Sequence, residues 1–220
     1  MNAEAPTDAT AFWEGRYQES HRIWSGNPNV ALVQVVGSLI RDHGIIPGRA
    51  LDLGSGEGAD SLWLAENGWR VTGMDISPTA LSRAAEHAAE RGIARDRVTW
   101  VQADLAGWRP AASESYDLVS ACFLHSPVTF PRDEVLRRAA STVAPGGVLL
   151  VVGHATFPAG SRAQHEDHVQ PPTLEEVEAS LALPSDDWTT LVSELRTREG
   201  RGPDGTTITL DDAVLALRRR

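Results

Sequence analysis

The stretch Ala50-Leu51-Asp52-Leu53-Gly54-Ser55-Gly56-Glu57-Gly58, with Asp75 closing the next apolar run, decides how this chain is read. An apolar strand pattern ends, glycines alternate through a tight turn, and a helical pattern begins at once. Only glycine takes positive φ freely while letting backbone lie close against a ligand. Asp75 stands 17 residues past Gly58, at the end of a second strand pattern. There a carboxylate can accept hydrogen bonds from ribose hydroxyls. The pattern predicts a site for an adenosine-bearing cofactor.

The glycine spacing separates two candidates for that cofactor. Dinucleotide folds use G-x-G-x-x-G and set a pyrophosphate on a helix N-terminus. Here the glycines fall at 54, 56 and 58, with Asp52 in the strand before them and Glu57 among them. Two carboxylates crowding a pyrophosphate would be electrostatically poor, whereas they suit a sulfonium or an ammonium. The stretch resembles the first motif of class I S-adenosylmethionine (SAM)-dependent methyltransferases.

Composition narrows the setting. The chain has 220 residues, enough for one domain with its own core. A net charge of −10 makes phosphate backbones and anionic membrane surfaces poor partners, so neither nucleic acid nor membrane is expected. All 20 basic residues are arginine, which reads as the coding bias of a GC-rich bacterium. Cys122 is the single cysteine, so no internal disulfide and no cysteine-rich zinc site is expected. No apolar run reaches the roughly 20 residues of a membrane span, and the polar, acidic N-terminus is unlike a signal peptide. The expectation is a cytoplasmic protein.

Punctuation along the chain gives its organisation. Helical patterns cover residues 10–20 and 29–42, separated by the turn-rich Ile23-Trp24-Ser25-Gly26-Asn27-Pro28-Asn29. Strands at 49–53, 70–75, 97–103 and 116–122 then alternate with helices, one opened by the cap Ser77-Pro78. A helix at 132–142 stops at Pro145-Gly146-Gly147, and 148–152 reads as a buried strand. After a helix at 173–181, strands at 188–198 and 206–217 flank a glycine-rich turn and read as an antiparallel hairpin. Repeated βα units imply a parallel sheet with helices on both faces. The expected fold is therefore Rossmann-like α/β: a seven-stranded, mostly parallel sheet ending in an antiparallel hairpin. We expect one domain, with residues 1–46 as a helical lid, 47–153 as the cofactor-binding core, and 154–220 as an acceptor-side insertion, helix and terminal hairpin.

Ligands of open α/β sheets bind beyond the carboxyl ends of the strands, at the switch point of the topology. The methyltransferase resemblance assigns residues there. Asp52 and the loop Gly54, Ser55, Gly56 and Gly58 would face the methionine and ribose parts. Asp75 would hold the ribose hydroxyls, and Asp104 would accept from the adenine amino group. Ile76 and Leu105 would lie against the ring, and Cys122 would offer its carbonyl to the ammonium. Phe12-Trp13-Glu14-Gly15-Arg16-Tyr17 with Trp24-Ser25-Gly26-Asn27-Pro28-Asn29 is similar to the tellurite/thiopurine methyltransferase-like group of small-molecule enzymes. That resemblance implies an N-terminal cover over the cofactor carrying Trp13, Arg16 and Trp24. The alternative is that these aromatics simply pack the first helix on the sheet.

Methyl transfer from a sulfonium has an excellent leaving group, so positioning and desolvation do most of the work. His125, after the fourth strand, is the expected base or orienter; alternatively it fixes its own loop. By group resemblance the preferred acceptor is a thiol or another soft chalcogen, which can arrive ionised. The alternatives are N- or O-methylation of a metabolite or natural product, an NAD-dependent oxidoreductase, and a SAM-binding protein without activity. His154, His165 and His168, with Glu166 and Asp167, could hold a metal, but they lie in a loop-like segment and none is assigned. Catechol-type methyltransferases carry acidic metal ligands where this chain has Leu124-His125-Ser126-Pro127, so magnesium-dependent chemistry of that kind is not expected. A monomer or small homo-oligomer is expected.

Overall fold

A computed structural model describes residues 8–156, 171–201 and 206–220. Its elements follow the punctuation of the sequence. Helix α1 (Ala9–Gln18) starts where Asp8 accepts from the amides of Thr10 and Ala11. Helix α2 (Val30–His43) is capped by Asn29 and closed by left-handed Gly44. Next come β1 (Arg49–Leu53), α3 (Ala59–Glu66), β2 (Arg70–Asp75), α4 (Pro78–Glu90), β3 (Val98–Gln102) and β4 (Tyr116–Cys122). The chain continues through α5 (Arg132–Ser141), β5 (Val143–His154), α6 (Leu174–Leu181), β6 (Trp188–Arg201) and β7 (Thr207–Arg219). Ser77 caps α4 ahead of Pro78, and Thr173 with Glu176 forms a reciprocal capping box on α6.

The seven strands lie in the order β3-β2-β1-β4-β5-β7-β6. The first five are parallel, and β7 runs antiparallel to both β5 and β6. Strand alternation sorts the core into two layers. Ala50, Leu118, Val148, Leu150 and Val152 face α2 and α3, against Leu32, Val36, Leu39, Leu62 and Trp69. Leu51, Leu53, Val119, Leu149 and Val151 face α5 and α6, against Val135, Leu136, Val177 and Leu181. The order reverses at β1 and β4, so their carboxyl ends open the crevice that positions the site. No helix among the described residues is long and apolar enough to cross a membrane.

One boundary differs from the sequence pattern. Pro145-Gly146-Gly147 reads as the stop between a helix and a strand, yet β5 begins at Val143 and carries these residues within it. The pairing with β4 jumps from Tyr116↔Val143 to Leu118↔Val148, so the segment is a bulge. Gly146 takes φ 79°, and a Cβ on Gly147 would stand 3.0 Å from the carbonyl oxygens of Tyr116, Asp117 and Ala144. Gly147→Ala is therefore expected to cost about 1–3 kcal/mol, as overpacking against immovable backbone does. Thermal unfolding checks this, with Gly15→Ala as the control. A Cβ on Gly15 meets nothing within 4 Å, and its Tm should hold or rise.

Candidate active site

The turn between β1 and α3 is built by left-handed glycines: φ is 71° at Gly54, 53° at Gly56 and 88° at Gly58. It is pinned from β2, where the Ser55 amide donates to the Met74 carbonyl at 2.8 Å and the Gly56 amide to Asp75 Oδ2 at 2.9 Å. Asp75 Oδ1 accepts from the Ser77 amide at 2.9 Å. Burial pushes the Asp75 carboxyl above its usual range, and these amides pull the other way. Below the turn lies a cleft of about 770 Å³, within the range of small-molecule and cofactor sites.

Of the residues expected at the site, Trp13, Trp24, Gly54, Ser55, Gly56, Asp75, Ile76, Asp104, Leu105, Cys122 and His125 line this cleft. Three do not. Asp52 points into the protein, where it accepts from Ser61 Oγ at 2.6 Å and Ser120 Oγ at 3.0 Å and ties β1 to α3 and β4. Burial and the nearby Asp60 carboxylate push its pKa up. Gly58 serves packing, because a Cβ there would strike Trp100 and Ala84 within 3 Å. Arg16 sits half-buried on α1, outside the cleft wall.

Helix α1 lies across the mouth of the cleft, and polar bonds hold it there. The Glu14 carboxylate accepts from Ser77 Oγ at 2.6 Å, from the Thr79 amide at 3.2 Å and from the Thr79 hydroxyl. Burial disfavours its charge, but these bonds and one from Gln18 outweigh that and hold its pKa below the usual value. Its charge also meets the positive end of α4. Trp13 Nε1 donates to Ser126 Oγ at 3.2 Å, and Trp24 Nε1 to Tyr17 Oη at 3.0 Å. Arg83 bridges Glu57 at 2.9 Å and the Tyr17 carbonyl at 2.7 Å.

Several wall residues escape sequence reasoning. Asp60, in the first turn of α3, lines the cleft, accepts from the Asn29 amide at 2.6 Å and hydrogen-bonds Cys122. Its proximity to the glycine turn was the available signal. Burial, then Asp60 and Asp52 nearby, pushes the Cys122 thiol well up, which disfavours the thiolate. At the other end, Phe123 takes φ 51°, and its ring stacks on His154 at 4.5 Å, with the Arg198 guanidinium 5.4 Å from its centroid. His125 stacks on His154 at 5.7 Å. Burial, then Arg132 and His154, depress the His125 pKa to about 4, so it is neutral at pH 7. Among the described residues no group of three or more His, Cys, Asp or Glu side chains is arranged for a metal. His165, Glu166, Asp167 and His168 lie outside the described residues.

The cleft fits a cationic nucleoside. A Cβ on Gly54 would stand 2.9 Å from Leu124 and one on Gly56 2.9 Å from the Tyr17 hydroxyl, so the turn is cut back on the cleft side. Glu57, Asp60, Asp75 and Asp104 make its wall acidic. Among the described residues, Ser55 Oγ is buried on that wall without a hydrogen-bond partner.

Comparison with known proteins agrees. Residues 50–147 match the family described as a methyltransferase domain. The chain is 31% identical over 157 residues to the 2-heptyl-1-hydroxyquinolin-4(1H)-one methyltransferase of Mycobacteroides abscessus, covering 70% of this chain and 65% of that protein. It is 34% identical over 141 residues to the ubiquinone biosynthesis O-methyltransferase of Photorhabdus laumondii, covering 63% of this chain and 54% of that one. The chain thus spans between half and two thirds of the length of these relatives. A structure solved for the conversion of a disulfide bond into a thioacetal group during echinomycin biosynthesis matches with a TM-score of 0.66 and 26% identity, covering 96% of this chain and 92% of that one. The N-methyltransferase NodS of Bradyrhizobium japonicum, in complex with S-adenosyl-L-homocysteine, matches with a TM-score of 0.66 and 19% identity, covering 96% and 99%. The match to a methyltransferase domain thus falls on residues 50–147, which span β1 to the start of β5 in a Rossmann-like sheet.

Asp75→Ala removes the acceptor that braces Gly56 and faces the cleft. It is expected to weaken SAM binding 10- to 100-fold, the scale of a lost hydrogen bond to a charged group. Calorimetric titration measures this, with circular dichroism to show the fold intact.

Proposed function

We propose that the protein is a small-molecule methyltransferase whose acceptor is a planar, ring-bearing metabolite. The observation that carries this is the aromatic lining of the cleft, whose wall includes Phe123, Phe130, His154 and Trp13 as well as the glycine turn. In this reading Asp75 and the glycine turn hold the ribose and Asp60 the ammonium. Asp104, Ile76 and Leu105 receive the adenine. SAM supplies, when bound, an electrophilic methyl on a sulfonium, whose carbon–sulfur bond breaks with both electrons going to sulfur. The protein's part is to orient the acceptor in line and to exclude water, which strengthens every electrostatic contact inside. Trp13 and Trp24 close the site over that cation, where an aromatic face is attractive.

Two features support a small acceptor over a polymer. The chain carries a net charge of −10, and one face of α1, with Ala9, Trp13 and Tyr17, contributes to the cleft wall. Two relatives carry names that refer to a hydroxyquinolinone and to ubiquinone biosynthesis, which supports a ring-bearing acceptor. Methylation of a thiol is the second reading. It is favoured by the structural match from a disulfide-to-thioacetal conversion and by the ability of a thiolate to react without a base.

The test is incubation with SAM and a panel of phenols, N-hydroxy heteroaromatics, amines and thiols, following S-adenosylhomocysteine by mass spectrometry. Turnover on ring-bearing acceptors is the expected result. Turnover confined to simple thiols would replace it with the second reading, and SAM binding without turnover on any acceptor would overturn both. Glu14→Ala unlatches α1 from α4. It should weaken SAM binding about tenfold, the scale of a lost charged hydrogen bond, and raise quenching of tryptophan fluorescence by acrylamide.

A further inference from the structure

We propose that Arg198 selects the acceptor by binding a carboxylate carried on the acceptor ring. The inference rests on the methyltransferase reading above and adds the chemical class of its acceptor, a ring-bearing acid.

Arg198 lies on the part of the hairpin that outruns the parallel sheet. β5 stops at His154, opposite Asp212 of β7, while β6 and β7 pair on past that point to Gly200↔Ile208. This part of the hairpin therefore stands beyond the carboxyl end of β5, where ligands of such sheets bind. Arg198 pairs with Leu210, and its side chain reaches Asp212 two residues along the same face. Its guanidinium stands 5.4 Å from the centre of the Phe123 ring. The next residue, Leu124, lies 2.9 Å from a Cβ built on Gly54. The dipeptide Phe123-Leu124 thus meets Arg198 with one residue and the glycine turn with the other.

Charge makes this residue unusual in its place. Among the described residues of the cleft wall, Arg198 is the one arginine or lysine, and Glu57, Asp60, Asp75, Asp104 and Glu199 are acidic. Asp212 is 2% exposed and accepts from Arg198 Nε at 2.6 Å, so the buried carboxylate is paired. That bond, the one side-chain hydrogen bond of Arg198 among the described residues, uses one of five N–H donors. The two terminal nitrogens form a planar fork that matches both oxygens of a carboxylate. The bond to Asp212 and the Phe123 ring hold the guanidinium in place, so little freedom is lost when the fork is used.

The ligand follows from this balance. A dianion such as a phosphate ester would meet one cation, already paired with Asp212, and an acidic wall. A single carboxylate is matched by one fork. A planar ring beside Phe123 and Phe130 then carries its acid group toward Arg198. An Arg198 that served Asp212 alone would be indifferent to the acceptor's charge. The carboxylate of the methionine part of SAM is a second anion of the same chemistry, so cofactor affinity separates the two sources.

The test pairs acids with neutral counterparts. The full chain is given SAM and a panel of hydroxy-, mercapto- and aminobenzoates, each beside its methyl ester. Ring and nucleophile then stay constant while the charge is removed. The wild type should favour at least one acid over its ester in kcat/KM by about tenfold or more, the scale of a hydrogen bond to a charged group. Arg198→Gln should abolish that preference by raising the KM of the acid. Arg198→Lys keeps the charge without the fork and should retain part of it. Arg198→Gln leaves Asp212 unpaired, so Arg198→Gln combined with Asp212→Asn is measured beside it, and the acid-to-ester ratio should fall in both. SAM affinity, by calorimetric titration, should stay within about threefold. Esters or other neutral ring compounds used as well as the acids, or acid and ester falling together in the variants, would overturn the proposal and leave the methyltransferase reading standing. A loss of SAM affinity of about tenfold or more would give Arg198 to the cofactor and overturn it too. SAM binding without turnover on any acceptor would overturn the function itself, and the proposal with it.

Discussion

The bond from the Gly56 amide to the Asp75 carboxylate is the constraint on which the rest of the site depends. The left-handed glycines of the turn have no side chains to hold them, so their shape is imposed from outside. Asp75 imposes it from the next strand and anchors the start of α4 with its other oxygen. The turn, the strand end and the helix N-terminus thereby become one rigid unit. Asp52 does the same work one layer deeper, through Ser61 and Ser120. Of the motif's acidic residues, Glu57 and Asp75 therefore line the cleft and Asp52 holds the frame.

The same helix N-terminus recruits the cover. Glu14 reaches across from α1 to Ser77 and Thr79, so a single α4 end is used by Asp75 from the sheet and by Glu14 from the lid. The position of α1 and the shape of the glycine turn are mechanically linked through Asp75, Ser77 and Thr79. The aromatic contacts of Trp13, Tyr17 and Trp24 add direction to that link but not its charge.

The strands, the capped helices, the glycine turn and Asp75 were legible because each is a local pattern: period, cap, spacing. The place of Trp13 and Trp24 on the cleft wall follows from the aromatic pattern, although Glu14, the residue that latches α1 to α4, carries no local signal. Asp60 was missed because its role depends on how α3 is rotated above the turn. His154 read as a companion of His165 and His168 because the three share one stretch of chain. The β5–β7 register instead sets it opposite Asp212, 58 positions later in the sequence. Arg198 and Asp212 carry no local signal, since which face of the hairpin meets the cleft is decided by sheet order. The bulge at Pro145-Gly146-Gly147 was read as a stop because the same residues serve both ends.

The placement of β7 between β5 and β6 orders the assembly of the molecule in time. A chain made from its N-terminus can pair β3, β2, β1, β4 and β5 as soon as they are made, and with them the glycine turn and Asp75. The outer edge of β5 stays bare until β7 arrives, and that edge carries the buried run Val148–Val152. β6 is made before β7 and must leave a gap for it. The glycine turn and Asp75 thus belong to the part that can pair first, and a chain stalled before β7 exposes an apolar strand edge on which a second such chain can dock.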